Sequence, residues 1–374
     1  MPKILSAYLD LLRFAAALLV FIVHANYERF TDGLPALWRV AGLGNDAVMI
    51  FFVLSGFVIA YVSETREKGV AIYFSARLAR LWSVTVPALA LTLVLDYTGK
   101  QLSPAMYDGS WFQDSNPIFR TIANLFFFNE IWFWSIRPFS NGPYWSIGYE
   151  FWYYVIFAST LFLKGSTQKI TIASLAIFIG PKILLLFPVW WVGVWAYRTS
   201  LANEISAKLA TALFIGTILT YAALRISGAI DHLDGIVQST FGKTFATDNL
   251  RWSQYFLSSY LIGLLLAVNF VAARRLSKEL TNAKVPLERT ITYLAGFTFS
   301  LYLFHYPLLQ FLAAVCDFYA IERLKLPIVI FGTLCIVWLI GSWAERQKHP
   351  IRRLLLNIIL QQREAKDSVP RSDG

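Results

Sequence analysis

Three side chains that a membrane helix normally avoids lie in one apolar stretch: Asp10, Arg13 and His24, within YLDLLRFAAALLVFIVHANY, residues 8–27. Ionisable groups are costly in a bilayer, so they face a protein interior or a watery cavity and mark function. Arg13 and His24 are eleven residues apart. That is about three helical turns plus roughly 20°, so they share a face, with His24 about 16 Å farther along the axis. Asp10 precedes Arg13 by three residues, on the same side. One stripe thus carries an acid, a cation near the membrane surface and, deeper, an imidazole, the group that titrates near neutrality.

Four further segments carry chemistry-bearing residues. In YFSARLARLW, residues 73–82, Arg77 and Arg80 are at i,i+3. They read either as positive-inside anchors or as a phosphate grip, because guanidinium pairs present bidentate donors. In NGPYWSIGYEFWYY, residues 141–154, Asn141 and Pro143 signal a helix start, and Ser146 and Glu150 then fall on one face. An aromatic interface belt explains Trp145, Tyr149 and Trp152 but not Glu150. In FSLYLFHYP, residues 299–307, Tyr302 and His305 are at i,i+3, and His305 is assigned to site lining rather than chemistry. In FFVLSGFV, residues 51–58, Ser55 and Gly56 suit close helix packing. No GxSxG elbow and no His-x-x-x-Asp motif is present, which argues against a serine-triad hydrolase.

These segments need a membrane scaffold to position them. The chain has 374 residues, 57% hydrophobic and 15% charged, with mean hydropathy +0.53. A soluble domain carries about a quarter charged residues. The first segment is too long and too polar for a removable signal peptide. Cys316 and Cys335 form no CxxC or metal-ligand spacing and read as small apolar fillers, so no metal site is expected. The net charge of +10 clusters in loops between apolar spans, the pattern of membrane orientation rather than nucleic-acid binding. His232 and His349 lie in polar segments and read as solvated.

The predicted fold is all-α: a polytopic membrane bundle of about ten helices at residues 8–25, 47–62, 81–97, 144–163, 170–183, 184–198, 208–226, 253–273, 291–315 and 327–344. Basic residues concentrate in 63–80, in 274–289 (including Lys284) and after Glu345, where Arg371 is the last of them; the loops 26–46, 98–120, 227–252 and 316–326 are balanced. The positive-inside rule then places both termini in the cytoplasm. Segment 121–136, TIANLFFFNEIWFWSI, is predicted to be interfacial or re-entrant because of Asn124, Asn129 and Glu130. In this topology His24, Glu150 and His305 reach similar depth near the outer face. Residues 1–345 form the membrane domain; 346–374 form a basic tail, RQKHPIRRLLLNIILQQREAK and beyond, expected as an amphipathic segment on the cytoplasmic membrane surface.

The motifs together resemble the acyltransferase-3 family of integral membrane acyltransferases, which modify bacterial surface polysaccharides and related acceptors. The family's first helix, roughly LDxLRxxAALxVxxxH, is matched by LDLLRFAAALLVFIVH from Leu9 to His24; its FFVLSGF by residues 51–57; its Arg-x-x-Arg by Arg77 and Arg80; its WSLxxE by WSIGYE, 145–150; and its Tyr-Leu-x-His-x-Pro by YLFHYP, 302–307. Two positions depart. Met49 stands where the family often has an acid, and Ser83 where it often has a proline. Some members carry an added extracytoplasmic hydrolase-like domain, for which the residues up to Gly374 are expected to leave no room.

The resemblance implies a cytoplasmic acyl-CoA donor, with acetyl the family's commonest group and no metal. Arg13, Arg77 and Arg80 would hold its phosphates, the pantetheine arm would thread toward His24, and a carbohydrate or glycolipid hydroxyl would enter from outside. His24 would act as general base and Glu150 would orient the imidazole or bind acceptor hydroxyls. Asp10, Ser55, Trp145, Ser146, Tyr302 and His305 would line the substrate site, with Asp10 expected to pair with Arg13. Direct transfer and an acyl-histidine intermediate stay open. The resemblance implies a multi-pass protein of the bacterial cytoplasmic membrane. The main alternative is a transporter or flippase for a lipid-linked saccharide, which would favour repeat symmetry that the sequence lacks. A non-catalytic scaffold leaves the acid–Arg–His stripe unexplained, and a glycosyltransferase calls for larger acidic outer loops.

Overall fold

The computed structural model describes residues 1–33, 42–280 and 286–367. Arg39 of the loop 26–46, Lys284, Arg371 and Gly374 lie outside the described residues. The described residues form an all-helical bundle. Its main helices are α1 (Lys3–Ala25), α2 (Leu43–Thr65), α3 (Val70–Leu102), α4 (Trp145–Phe162), α5 (Gly165–Ile179), α6 (Pro181–Arg198), α7 (Ala207–Ile226), α8 (Ala229–Phe241), α9 (Phe256–Glu279), α10 (Thr298–Phe318), α11 (Lys325–Arg346) and α12 (Lys348–Asp367). Seven helical runs, those of α1, α2, α3, α7, α9, α10 and α11, are long and apolar enough to cross a membrane by length and composition. The other three expected spans are helices too: α4 and α6 have 18 residues and α5 has 15. At 1.5 Å per residue, α5 reaches only about 22 Å, short of a ~30 Å hydrocarbon core.

Packing follows the small residues. A Cβ on Gly56 would meet the Trp190 carbonyl oxygen at 2.0 Å, and one on Gly193 would meet that of Val53 at 2.0 Å. Helices α2 and α6 therefore touch backbone to backbone, as small residues permit. This fits the packing role read for Gly56, and it also brings Trp190 Nε1 to within 3.2 Å of Ser55 Oγ. Helix α10 packs against α1, α3 and α11; α9 packs against α6 and α7; α12 lies along α3.

The segments around the main helices differ in detail from the sequence reading. Segment 121–136 contains only the end of a nine-residue helix, Pro117–Leu125, followed by turns; this is too short to span. Its polar residues are buried rather than exposed at an interface: Asn124, Asn129 and Glu130 all lie inside the protein, and Glu130 pairs with the buried Lys182 of α6 at 2.5 Å. The expected loop 227–252 contains α8, and the expected span 291–315 is interrupted between Ala295 and Thr298.

Asn141 does not cap by its side chain the turn that opens at Gly142. Its Nδ2 donates instead to the Leu303 carbonyl at 2.9 Å. Pro307, four residues on, has no N–H for that carbonyl, so the proline inside α10 frees the acceptor that docks the start of α4. Asp96 of α3 holds the same loop by accepting from Ser140 N and Oγ, each at 2.8 Å.

Candidate active site

The stripe on α1 opens into cavities at opposite ends of the bundle. Asp10 and Arg13 form an ion pair at 3.2 Å, as expected. They line a cavity of about 430 Å³ together with Glu67, Arg77 and Arg80 from the α2–α3 corner. Arg77 is buried and donates to Glu67. Burial raises the Glu67 carboxyl from its ordinary value, while the guanidinium groups of Arg77 and Arg352 pull it down. A second wall comes from Glu345, Lys348, His349 and Arg352, at the junction of α11 and α12, and a third from Thr292 to Phe299 ahead of and at the start of α10. His232, on α8, is exposed, in keeping with a solvated histidine. His349 is exposed too, but it also borders this cavity.

At the other end, His24 lines a chamber of about 450 Å³. Its walls are aromatic and charged: Tyr27, Trp111, Trp145, Trp252 and Tyr306 face it, with Arg29, Arg137, Asp231 and Asp234. Trp145 stacks on Trp252 at a centroid distance of 5.4 Å. The Arg29 guanidinium sits 4.0 Å from the Trp111 ring centroid and donates to the Tyr306 hydroxyl. A polar annex of about 220 Å³ adjoins the chamber, sharing Trp111, Arg137, Trp145 and Trp252 with it. Asn129 borders the annex, and its buried side-chain N and O have no partner among the described residues.

A narrow apolar neck lies between the two cavities. It has about 50 Å³ of free space, lined by Val48, Phe51, Phe52, Val58 and Phe299. It shares Arg13, Arg80, Thr298 and Phe299 with the cavity at the α2–α3 corner, and Val48 and Tyr302 with the chamber. The three spaces therefore form a series through the bundle. Four polar residues of the neck are hydrogen-bonded in pairs, Ser55 with Glu150 and Ser146 with Tyr302. Ser55 Oγ donates to Glu150 at 2.7 Å, and the Tyr154 hydroxyl donates to the same carboxylate. Tyr302 donates to the Pro143 carbonyl at 2.9 Å, so its oxygen accepts from Ser146 Oγ at 2.7 Å.

The imidazole of His24 is held by His305, not by Glu150. His24 Nδ1 lies 2.9 Å from His305 Nε2, and His305 Nδ1 lies 2.8 Å from the Leu301 carbonyl oxygen. A carbonyl only accepts, so His305 carries its proton on Nδ1. Its Nε2 then accepts from His24 Nδ1–H, which leaves a lone pair on His24 Nε2 for neutral rings. His305 is fully buried behind His24 and does not border the chamber, where a lining role had been expected. Glu150 borders the neck instead. Sequence reasoning did not find Tyr154, Trp111, Arg137, Trp252, Lys348 or Arg352; the only signal for them was their type, an aromatic or a cation, at an otherwise ordinary position. Cys316 is buried and Cys335 exposed, both free. Among the described residues no group of three His, Cys, Asp or Glu side chains is placed to hold a metal.

A family profile described as an acyltransferase domain matches residues 6–342. The acyltransferase MdmB of Streptomyces mycarofaciens is 28% identical over 153 residues, covering 39% of this chain and 36% of that protein. The chain thus spans about a third of the length of that relative. No solved structure matches. With a family match over nearly its whole length, the chain belongs to the acyltransferase-3 family, and its apolar helices are those of a multi-pass membrane protein.

Proposed function

We propose that the protein moves an acyl group, acetyl in the first instance, from cytoplasmic acyl-CoA to a hydroxyl of an extracytoplasmic carbohydrate, in a bacterial cytoplasmic membrane with both termini in the cytoplasm. The observation that carries this reading is the series of cavities, cationic at one end and aromatic around His24 Nε2 at the other. Arg13, Arg77 and Arg80 bind the donor's phosphates by charge-assisted hydrogen bonds. The pantetheine arm enters the neck, which widens to admit it, and presents the thioester to the chamber. Tryptophan faces suit the C–H faces of sugar rings, while Asp231, Asp234 and Arg137 suit their hydroxyls.

In the transfer step His24 Nε2 takes the proton of the acceptor hydroxyl as its oxygen attacks the thioester carbonyl. The new C–O bond replaces the C–S bond, and the proton returns from His24 to the departing CoA thiolate. His305 fixes the tautomer and ring orientation and accepts from the imidazolium as it forms. It is a positioning residue. Glu150, bonded to Ser55 and Tyr154, shapes the neck.

Mass spectrometry of surface glycans tests the reading, in a deletion strain complemented with wild type or His24→Ala at equal membrane abundance. A defined acyl mass should vanish in the deletion and return with wild type alone. Full restoration by His24→Ala would remove the general base, and no change in any acyl mass would remove the glycan acceptor.

A further inference from the structure

The wall of the cationic cavity includes residues beyond the family-matched segment. Helix α12, expected as a tail on the membrane surface, lies along α3, which carries Arg77 and Arg80. Its first turns bring Lys348 and Arg352 to the cavity. Two observations make this more than proximity. The first is charge. Five Lys or Arg residues line the cavity against three acids, Asp10, Glu67 and Glu345. The pairs Asp10–Arg13 and Glu67–Arg77 neutralise two cations. Arg80, Lys348 and Arg352 then stand against one remaining acid of the lining, Glu345, so the lining keeps an excess of two positive charges. The second is hydrogen bonding. The Nε atoms of both Arg77 and Arg352 are buried without a partner among the described residues. An unmet buried donor is costly, and more so on a charged group. Two arginines with such donors, both lining one cavity with surplus positive charge, fit an anion with several oxygens.

We propose that Lys348 and Arg352 complete the phosphate-binding wall of the donor site, so that the start of α12 is part of the enzyme's acyl-CoA site rather than only a membrane tether. This rests on the reading that acyl-CoA is the donor. The arrangement also divides α12 by face: Leu354 and Ile358 are 59% and 43% exposed and remain available to the membrane surface. Arg353 supplies an internal control, because it is exposed and does not line the cavity.

The test is equilibrium binding of coenzyme A to the full-length protein in nanodiscs, made either of phosphatidylcholine alone or with added phosphatidylglycerol. In both lipids Arg352→Gln should weaken coenzyme A binding by about 10- to 100-fold, the range for one hydrogen bond to a charged group. Arg353→Gln should leave it unchanged and Arg352→Lys should recover part of it. Pantetheine, which lacks the phosphates, should bind wild type and Arg352→Gln alike. Equal coenzyme A affinity of Arg352→Gln and wild type would overturn the proposal while leaving the donor reading intact. A defect seen only with phosphatidylglycerol, or shared by Arg353→Gln, would assign these cations to lipid headgroups instead. A pantetheine affinity lowered as much as that of coenzyme A would show loss of fold rather than of a phosphate contact. If wild type binds no coenzyme A in either lipid, the donor reading itself fails and this proposal falls with it.

Discussion

The two ends of the cavity series are built from different side chains. At the α2–α3 corner the groups are cations, several tied to acids on the same or adjacent elements: Arg13 to Asp10 and Arg77 to Glu67. Around His24 flat rings stand among charges of both signs, Arg29, Arg137, Asp231 and Asp234, and one imidazole is held by another. Ion-paired cations keep a charged site folded while it is empty, and they suit a ligand recognised by charge. Stacked rings suit a ligand recognised by shape, and a histidine pair sets where one lone pair points. In the proposed reading the difference separates binding from chemistry along a single helix, α1, which reaches both ends.

Substitutions at each end should therefore move different kinetic parameters. The largest effect is expected at His24. His24→Ala should lower kcat by about 10²- to 10⁴-fold, the worth of a general base, without weakening donor binding. A parallel loss of coenzyme A affinity would break the separation of the two ends. Next is His305. His305→Leu removes the acceptor for His24 Nδ1–H and should lower kcat by up to about 100-fold through misorientation. His305→Gln keeps an acceptor and should recover part of that rate; recovery no better than with Leu would argue that His305 only fills space. Trp145→Ala removes a stacking surface and should raise the acceptor KM by about 2- to 10-fold, with the donor KM unchanged. The smallest contrast is in salt dependence. Raising ionic strength should weaken donor binding by screening but leave acceptor binding nearly constant. Equal salt dependence at both ends would mean that charge does not distinguish them.

Much of this division was legible in the sequence because helices make spacing readable. The shared face of Asp10, Arg13 and His24 follows from residue numbers alone, and so do the Asp10–Arg13 pair and the inward Ser146–Glu150 face. What was hidden depends on contacts between distant segments. His24 and His305 are 281 positions apart, and nothing local to either names the other, so the sequence offers Glu150 as one candidate to orient the imidazole and does not name His305. Asn141 sits at a helix start and reads as a cap; only the carbonyl released by Pro307, far along the chain, explains its actual bond. Glu130 made segment 121–136 look unlike a span, but its partner Lys182 lies on another helix. The basic, amphipathic tail fits a membrane surface by composition, whereas its contact with α3 is tertiary. In each case the residue type was informative and the partner was not.

The most direct test of the central claim uses sealed vesicles with the enzyme in one orientation, acyl-CoA supplied on one face and a carbohydrate acceptor on the other. The account predicts ester formation only when acyl-CoA meets the face bearing Arg77 and Arg80 and the acceptor meets the face bearing His24, and none with His24→Ala. Ester formed at equal rate with the two substrates exchanged, or by the His24→Ala enzyme, would contradict it.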